Sequence, residues 1–235
     1  MKRESRLLIA GANVVFFKIA SQFILIIISI AKFRIGYAIA HRLALDGAKV
    51  VLSSRKQSNV DQALSKMAKD GLNESKVRGI VCHVGKADDR KRLVDFTMSS
   101  FGGIDVLVSN AAVSPVAAEI LDTPDDAWDK IFDINVKSTW QLTKLVVPKM
   151  ATRGRGSIVY TSSVGAYKPE SLIAAYGVSK TALLGLTKAV SQQCAPMNIR
   201  VNCLCPGLVK TKLAAPITEN EDILQDQLRN IPMNR

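Results

Sequence analysis

The chain has 235 residues, a formal net charge of +12 and 48% hydrophobic residues. This length is sufficient for one sizeable hydrophobic core. The composition excludes a disordered chain, because hydrophobic residues are abundant and no low-complexity tract or solenoid repeat is present. A nucleic-acid-binding surface is not indicated, because lysine and arginine are scattered and form only short pairs. A solvated basic surface that also suits anionic cofactors is the favoured interpretation.

Residues 7–31 are the most apolar segment, and they allow two interpretations. Lys18 near the middle costs about 2.5 to 3.5 kcal/mol on membrane-insertion scales, and the stretches on either side are too short to span a bilayer. The second part, residues 23–31, is short and rich in β-branched residues, which is typical of a buried parallel strand. We favour the strand, with a membrane anchor or signal peptide as the alternative. Residues 1–22 are then an atypical apolar N-terminal extension, and residues 23–235 a single domain.

Strand-like and helix-like segments alternate along this domain. The long helix should be interrupted near Asn135. Six strands alternating with helices are typical of an α/β fold with a doubly wound parallel sheet of the Rossmann-like kind. The predicted strands are 23–31, 48–54, 77–84, 104–112, 156–163 and 199–207, and the predicted helices are 34–47, 58–71, 88–102, 126–153 and 174–196.

Ligands of such a sheet bind beyond the carboxyl ends of the strands, where this sequence places polar and small residues. On the helix that follows the fifth strand, Tyr176 and Lys180 are four residues apart, so the ammonium group can lie near the phenol. A nearby cation favours the phenolate and lowers the pKa of a phenol below about 10. The pair is therefore a candidate for acid–base chemistry.

The motifs at these strand ends resemble those of a short-chain dehydrogenase/reductase. They are YGVSK with a serine thirteen residues earlier, NAA, INVK and RVNCLCPGLVKT. Longer stretches look closer still to the NADPH-dependent carbonyl and retinal reductases of that family, and the likeness runs from about residue 35 to about residue 229. The resemblance implies a tetrad. Tyr176 would be the general acid, Lys180 would lower its pKa and hold the nicotinamide ribose, Ser163 would bind the carbonyl oxygen, and Asn135 would hold a water that relays protons.

The end of the second strand predicts the cofactor. Many NAD-binding proteins place an acidic residue there, but this chain has Ser54, Arg55 and Lys56, whose cations suit the 2′-phosphate of NADP(H). The resemblance also assigns His83 and Val84 to the adenine pocket and Asn110, Ala111 and Ala112 to the adenine ribose. It assigns Pro206, Gly207, Val209 and Thr211 to the nicotinamide carboxamide.

The phosphate-binding turn departs from the family pattern TGxxxGxG. With Gly36 aligned to the last glycine of this pattern, Ser29 stands at the threonine, and Ile30 and Arg34 stand at the first two glycines. Only the last of the three glycines is therefore retained, and Ile35 precedes it. Glycine there allows backbone amides at a helix N-terminus to approach the pyrophosphate. The guanidinium of Arg34 could reach a phosphate, although its bulk occupies the space of a close backbone approach. We expect residues 34–36 at the phosphates.

The family also continues beyond the last residue of this chain, through another helix and a seventh strand, so we expect six strands and an incomplete C-terminal end. The long helices that carry Asn135 and Tyr176 form a usual interface of the family, which implies a homo-oligomer. The four cysteines lack metal-ligand spacing, and we expect reduced thiols and no metal. The compartment stays open between cytoplasm, mitochondrion and peroxisome, with membrane association through residues 7–31 as an alternative.

Two functional hypotheses follow. The first is an NADP(H)-dependent oxidoreductase that reduces small ketones or aldehydes, retinal among them, by hydride transfer. The alternative is a catalytically weak or inactive relative that acts as a binding or scaffold protein, because its glycine turn is damaged and its end is truncated.

Overall fold

The computed structural model describes residues 25–29, 35–209, 218–229, 231 and 233. Within them, six strands alternate with helices in the order that the sequence predicts. The strands are β1 (Leu25–Ser29), β2 (Lys49–Ser54), β3 (Val77–Val81), β4 (Val106–Ser109), β5 (Gly156–Thr161) and β6 (Ile199–Leu204). The helices are α1 (Ile35–Leu45), α2 (Gln57–Lys69), α3 (Ala87–Phe101), α4 (Asp125–Phe132), α5 (Ser138–Ala151), α6 (Ala174–Cys194) and α7 (Glu221–Arg229).

All six strands are parallel and form one sheet in the order β3-β2-β1-β4-β5-β6. This order is that of a doubly wound sheet, in which the direction of strand succession across the sheet reverses between β1 and β4. Parallel strands covered on both faces need continuous apolar runs, and Val50, Val51 and Leu52 of β2 are fully buried accordingly. The predicted fold class is confirmed.

Helices cover both faces of the sheet and divide the core into two clusters. On one face, α1 and α2 pack on β2 and β3 through side chains such as Leu43 and Met67. On the other face, α3 packs on β1, β2 and β3, while α5 packs on β4, β5 and β6 and α6 packs on β6, with Leu93 and Val146 at the centre. Because all six strands are parallel, their carboxyl ends lie at one edge of the sheet between these two layers.

The predicted interruption of the long helix is a π-helical segment, Asp133–Lys137, between α4 and α5. The Ser138 N–H donates to the Asp133 carbonyl oxygen, five residues back, which is the π pattern. The segment adds a residue to the turn and brings Asn135 into the interior, where its side chain is fully buried.

Several predictions concern residues outside those described. These are the N-terminal extension, most of the apolar segment 7–31, the turn residues Ile30 and Arg34, and Thr211. The strand predicted at 23–31 is confirmed for Leu25–Ser29. Helix α7 was not predicted, although acidic residues in its first turn and Arg229 in its last are a recognisable helix signal. None of the helices in the described ranges combines the length and apolar character that a bilayer crossing requires.

Candidate active site

The residues predicted from the strand ends converge at the carboxyl edge of the sheet. Three backbone hydrogen bonds fix this edge, two beside β5 and β6 and one between β2 and β3. The Ser162 N–H donates to the Leu204 carbonyl at 2.7 Å, and the Val164 N–H donates to the Pro206 carbonyl at 2.9 Å. The Cys82 N–H donates to the Ser54 carbonyl at 2.9 Å and joins the ends of β2 and β3. The site is thus assembled on the ends of the rigid sheet.

Tyr176 lies in the first turn of α6 with its phenol directed at Ser163. The two side chains share a hydrogen bond, and the Tyr176 side chain is 9% exposed. Burial raises the pKa of Tyr176 above its ordinary value, and the hydrogen bond with Ser163 lowers it in part. The phenol therefore keeps its proton at neutral pH, as a general acid must.

Lys180 is buried one turn further along α6. Its Nζ lies 5.4 Å from the centre of the Tyr176 ring and donates to the Thr161 carbonyl oxygen at 2.6 Å. Burial lowers the pKa of Lys180 to about 8. Burial is the largest influence on the pKa of Tyr176, and Lys180 Nζ is directed to the Thr161 carbonyl, so the lowering of that pKa by this ammonium stays a prediction.

Asn135 links three parts of the site. Its Oδ1 accepts from the Val113 N–H at 2.8 Å, and its Nδ2 donates to the Val113 carbonyl and to Ser179 Oγ, both at 3.0 Å. Ser179 Oγ donates in turn to the Tyr176 carbonyl at 2.7 Å. Both amide hydrogens of Asn135 are thus used in positioning the loop after β4 and the turn of α6 that carries Tyr176. Its predicted water-holding role stays a prediction.

Ser163 is held in place by the short helical turn that follows it. Its Oγ accepts from the Gly165 N–H at 3.1 Å and caps the turn Val164–Ala166. This turn packs against α6 so closely that a Cβ on Gly177 would lie 2.9 Å from the Gly165 carbonyl oxygen. The glycine after Tyr176 therefore permits the approach that brings Ser163 to the phenol.

Sequence reasoning did not single out Gly177, Ser179 or the Thr161 carbonyl. The signals available were the glycine and serine inside YGVSK, but their roles depend on which loop packs against α6. That packing involves residues 12 to 44 positions away in the chain.

A cluster of cations surrounds His83 at the other end of the site. The half-buried imidazole has its pKa lowered, first by burial and then by the positive charges of Lys130, Arg55 and Lys86. The His83 N–H donates to Asp89 Oδ2 at 2.8 Å, and this fixes the loop after β3. The arrangement brings together the predicted Arg55 and His83 and adds Lys130, which no sequence pattern indicated.

The remaining predicted cofactor residues have the following surroundings. Ser54 is buried, and its Oγ accepts from Asn59 Nδ2 at 3.1 Å, while Lys56 beside it is exposed. Gly36 and Val84 are buried, Gly207 is exposed, and the half-buried ones are Ile35, Asn110, Ala111, Ala112, Pro206 and Val209.

A clip joins the segment after β4 to the segment before α6. Ser171 Oγ donates to the Glu119 carboxylate at 2.7 Å, and the Ala118 N–H donates to the Leu172 carbonyl at 2.9 Å. Between this clip and Ser163, the apolar side chains of Val164, Tyr167 and Leu172 are 47%, 72% and 58% exposed. Exposed apolar groups beside a polar centre are typical of a site that binds an apolar molecule.

Known proteins share both this sequence and this fold. A family model described as enoyl-(acyl carrier protein) reductase matches residues 30–235. Dehydrogenase/reductase SDR family member 4 from Bos taurus is 55% identical over 186 residues, which are 79% of this chain and 66% of that protein. Its namesake from Homo sapiens is 54% identical over 198 residues, 83% and 70% of the two chains. The match thus spans about two thirds of the length of these relatives.

The chain belongs to the short-chain dehydrogenase/reductase family. Solved structures of the family agree with its fold. An NAD⁺-bound xylitol dehydrogenase is 28% identical with a TM-score of 0.83, covering 90% of this chain and 86% of that one. A protein described as an NAD(P)-dependent gluconate 5-dehydrogenase from Beutenbergia cavernae, with bound NADP, is 26% identical with a TM-score of 0.83, covering 93% and 84%. The predicted family, a family of oxidoreductases, is confirmed.

The described residues fit a nicotinamide dinucleotide. Lys180 Nζ can donate three hydrogen bonds, and the described residues provide one acceptor, the Thr161 carbonyl. The Thr161 hydroxyl oxygen beside it is buried without a hydrogen-bond partner among the described residues. The two remaining N–H donors of Lys180 can bind ribose hydroxyl groups. Across residues 25–29, 35–209 and 218–229, no three His, Cys, Asp or Glu side chains are grouped as metal ligands.

Proposed function

We propose that this protein is an NADP(H)-dependent reductase of ketones and aldehydes in which Tyr176 is the general acid. The observation that carries the proposal is the hydrogen bond between Tyr176 and Ser163 next to the buried Lys180. Two hydroxyl groups that meet in this way can both bind one carbonyl oxygen. The protonated phenol can then transfer its proton to that oxygen as negative charge develops.

Each residue of the site has a distinct part in this reaction. The cofactor, when bound, supplies or accepts the hydride. Ser163 donates a preorganised hydrogen bond, because its position is fixed by the Gly165 N–H. Lys180 binds ribose hydroxyls with the donors that Thr161 does not use, and its charge stabilises the phenolate that remains after proton transfer. Asn135 is a positioning residue, which acts on Tyr176 through Ser179.

The preference for NADP(H) over NAD(H) is supported by the cations near His83. Arg55 and Lys130 are each close enough to lower the pKa of this imidazole, so their charges converge on one region. These positive charges would attract a 2′-phosphate bound there, whereas an acidic residue at the same place would repel it. Ser54 is small and buried, which leaves the approach to the ribose free.

The substrate class follows from the apolar surface beside Ser163. Val164, Tyr167 and Leu172 provide contacts for an aromatic or branched aliphatic group but no charge to pair with a carboxylate or phosphate. Carbonyl compounds with an uncharged apolar substituent, such as aromatic ketones and α-dicarbonyls, fit this surface best.

An association of identical chains is proposed for the face formed by α4 and α5. Trp128 on α4 and Trp140 on α5 are 36% and 43% exposed, and Trp128 stacks on Phe132 at 4.7 Å. Large exposed aromatic side chains are enriched in protein interfaces. The association is tested by light scattering of the purified protein.

The enzymatic proposal is tested by mixing purified protein with NADPH and an aromatic ketone and following NADPH absorbance. We expect NADPH consumption that depends on the ketone. Titration of protein fluorescence with NADPH, without substrate, separates binding from turnover. Absence of binding at millimolar NADPH would refute the enzymatic function and leave the scaffold alternative.

A further inference from the structure

Thr139, the second residue of α5, carries a hydroxyl that bridges the π-helical segment to the interior strand β4. Its Oγ1 lies 2.9 Å from Ser109 Oγ, at the end of β4, and 3.2 Å from the Asn135 carbonyl oxygen. Thr139 and Ser109 are 2% and 7% exposed, so both hydroxyls are shielded from solvent. The bridge therefore connects a strand of the sheet to the backbone of a residue of the candidate tetrad.

The direction of the two hydrogen bonds follows from the number of hydrogens. A hydroxyl group has one hydrogen to donate and two lone pairs that accept. Thr139 donates its hydrogen to the Asn135 carbonyl, so Ser109 is the donor to Thr139. The chain of hydrogen bonds thus runs from Ser109 through Thr139 to Asn135, and both hydroxyl hydrogens are used.

The same π-helical segment also holds the loop after β4 at its other end. Asn135 Oδ1 accepts from the Val113 N–H at 2.8 Å, and Asn135 Nδ2 donates to the Val113 carbonyl at 3.0 Å. Ser109 and Val113 flank residues 110–112, which we expect at the adenine ribose of the cofactor. Thr139 and Asn135 therefore clamp this cofactor segment, residues 110–112, at both of its ends.

Asn135 also connects the clamp to the general acid. Its Nδ2 donates to Ser179 Oγ at 3.0 Å, and Ser179 Oγ donates to the Tyr176 carbonyl at 2.7 Å. The cofactor segment and the turn that carries Tyr176 thus share one partner. Their relative position depends on where the Asn135 backbone lies, and the Thr139 hydroxyl fixes that backbone on β4.

We propose that Thr139 is a positioning residue, whose hydroxyl holds the cofactor segment and Tyr176 in the relative position that the reaction requires. It acts through Asn135, and Ser109 is its anchor on the sheet. The catalytic consequence rests on the proposed function. The clamp on residues 109–113 does not, because it is a matter of hydrogen bonds within the protein alone.

A purely structural role of the two hydroxyls makes a different prediction. Removing one partner of a buried hydrogen bond is costly, whereas replacing both partners by apolar groups of similar shape is often nearly neutral for stability. With a structural role, the double variant Ser109→Ala/Thr139→Val would regain both the melting temperature and the kcat that Thr139→Val loses. Positioning predicts that the melting temperature is regained and kcat is not. Recovery of both would overturn the proposal.

The kinetic test uses a matched pair of variants, with NADPH and an aromatic ketone as substrates. Thr139→Val keeps the shape of the side chain and removes the hydroxyl. Its kcat should fall about tenfold with a smaller change in KM for the ketone, since a misplacement of about 1 Å can cost on the order of a hundredfold. Thr139→Ser keeps the hydroxyl and should retain kcat within about twofold.

Thr97→Val is the control for the loss of a buried hydroxyl as such. Thr97 on α3 is fully buried, and its Oγ1 donates to the Leu93 carbonyl four residues back at 2.7 Å, as Thr139 does to Asn135. This variant should lower the melting temperature and leave kcat unchanged. A loss of kcat equal to that of Thr139→Val would overturn the proposal.

Hydrogen exchange provides a readout that does not depend on activity. The Val113 N–H is bonded to Asn135 Oδ1, so its exchange with deuterium reports whether the clamp is closed. Mass spectrometry of peptides that span residues 110–113 should show faster exchange in Thr139→Val and in Ser109→Ala, and unchanged exchange in Thr97→Val.

The outcomes separate this inference from the proposed function. Wild-type kcat in Thr139→Val, an equal loss in Thr139→Ser, or unchanged exchange at Val113 would each overturn the positioning role. If Thr139→Val does not fold, Ser109→Ala breaks the same bridge from the strand side and is judged by the same exchange and kcat. If exchange responds but the unmodified protein does not reduce the ketone, the proposed function fails and the clamp stands.

Discussion

Asn135 donates a 3.0 Å hydrogen bond to Ser179 Oγ across the interface between the π-helical segment and α6. Ser179 Oγ in turn donates a hydrogen bond to the Tyr176 carbonyl and so fixes the backbone of the turn that carries Tyr176. The position of the phenol is therefore set from outside its own helix. The Asn135 side chain is fully buried, so the loss of this bond cannot be compensated by water from the surface.

Asn135→Ala and Ser179→Ala should both lower kcat with less effect on KM for the ketone. Removing one partner leaves a buried polar group unpaired, which costs about 1 to 3 kcal/mol of unfolding free energy. Because both act through one chain of hydrogen bonds, the double variant should lose less than the sum of the two single losses. Thermal melts and steady-state kinetics measure both effects. Asn202→Ala, at an exposed position of β6, is the control, and additive losses would contradict the proposed connection.

Tyr176→Phe should reduce turnover by about 10² to 10⁴-fold, because general acid catalysis contributes about that much. NADPH binding and melting temperature should change little, since only the hydroxyl is removed. Tyr160→Phe makes the same change in a fully buried tyrosine whose hydroxyl bonds Thr143. This control should lower the melting temperature while kcat stays within about twofold. Comparable kcat losses in both variants would argue against Tyr176 as the acid.

Lys180→Met should stabilise the protein at pH 7 while it abolishes activity. Burial lowers the pKa of Lys180 from 10.5 to about 8, so the folded chain loses this proton before the unfolded chain does. The unfolded state binds more protons between pH 8 and 10.5, and stability therefore rises with pH across that window. The full cost, roughly 3 kcal/mol, is present below pH 8.

The measurement is urea unfolding of wild type and variant between pH 7 and 10.5. The stability advantage of Lys180→Met should shrink as the pH rises from 8. Lys188→Met changes an exposed lysine on the same helix and should give a difference from wild type that is independent of pH over this range. A constant difference for Lys180→Met would mean that the amine keeps its ordinary pKa in the folded protein.

Arg55→Ala should raise the KM for NADPH about tenfold and leave the KM for NADH nearly unchanged. The reason is the loss of a charge-assisted contact to the 2′-phosphate, about 1.4 kcal/mol per factor of ten. Lys130→Ala should act in the same direction. Arg92→Ala removes an arginine that pairs with Asp89 on α3 and is the charge-matched control. Equal effects of Arg55→Ala on both cofactors would remove the assignment.

The order and type of the helices and strands were predictable because each depends on local signals. The apolar run of β2 and the glycines after α1 and α3, with φ of 98° at Gly47 and 83° at Gly102, are recognisable in sequence. The interruption at Asn135 was predicted as well, but its π geometry was not. That geometry depends on burial of one amide against the loop after β4.

Only the residues of the site that belong to sequence motifs were predictable. Tyr176, Ser163 and Lys180 were predicted together, and the structure brings them together. The direction of the Lys180 ammonium was not predictable, since it depends on the Thr161 carbonyl at the end of a strand that is distant in sequence. Lys130 was missed for the same reason, because only the packing of α4 beside the loop after β3 brings it to His83.

The π turn at Asp133–Lys137 acts as a one-residue insertion in an otherwise α-helical segment. One residue more than an α-helix needs is accommodated there, at the expense of regular i to i−4 pairing. Deleting a single residue from this turn would restore a continuous α-helix across α4 and α5 and withdraw the amide of Asn135 from Ser179. The helix would then be more regular and more stable, but the enzyme would be a weaker catalyst.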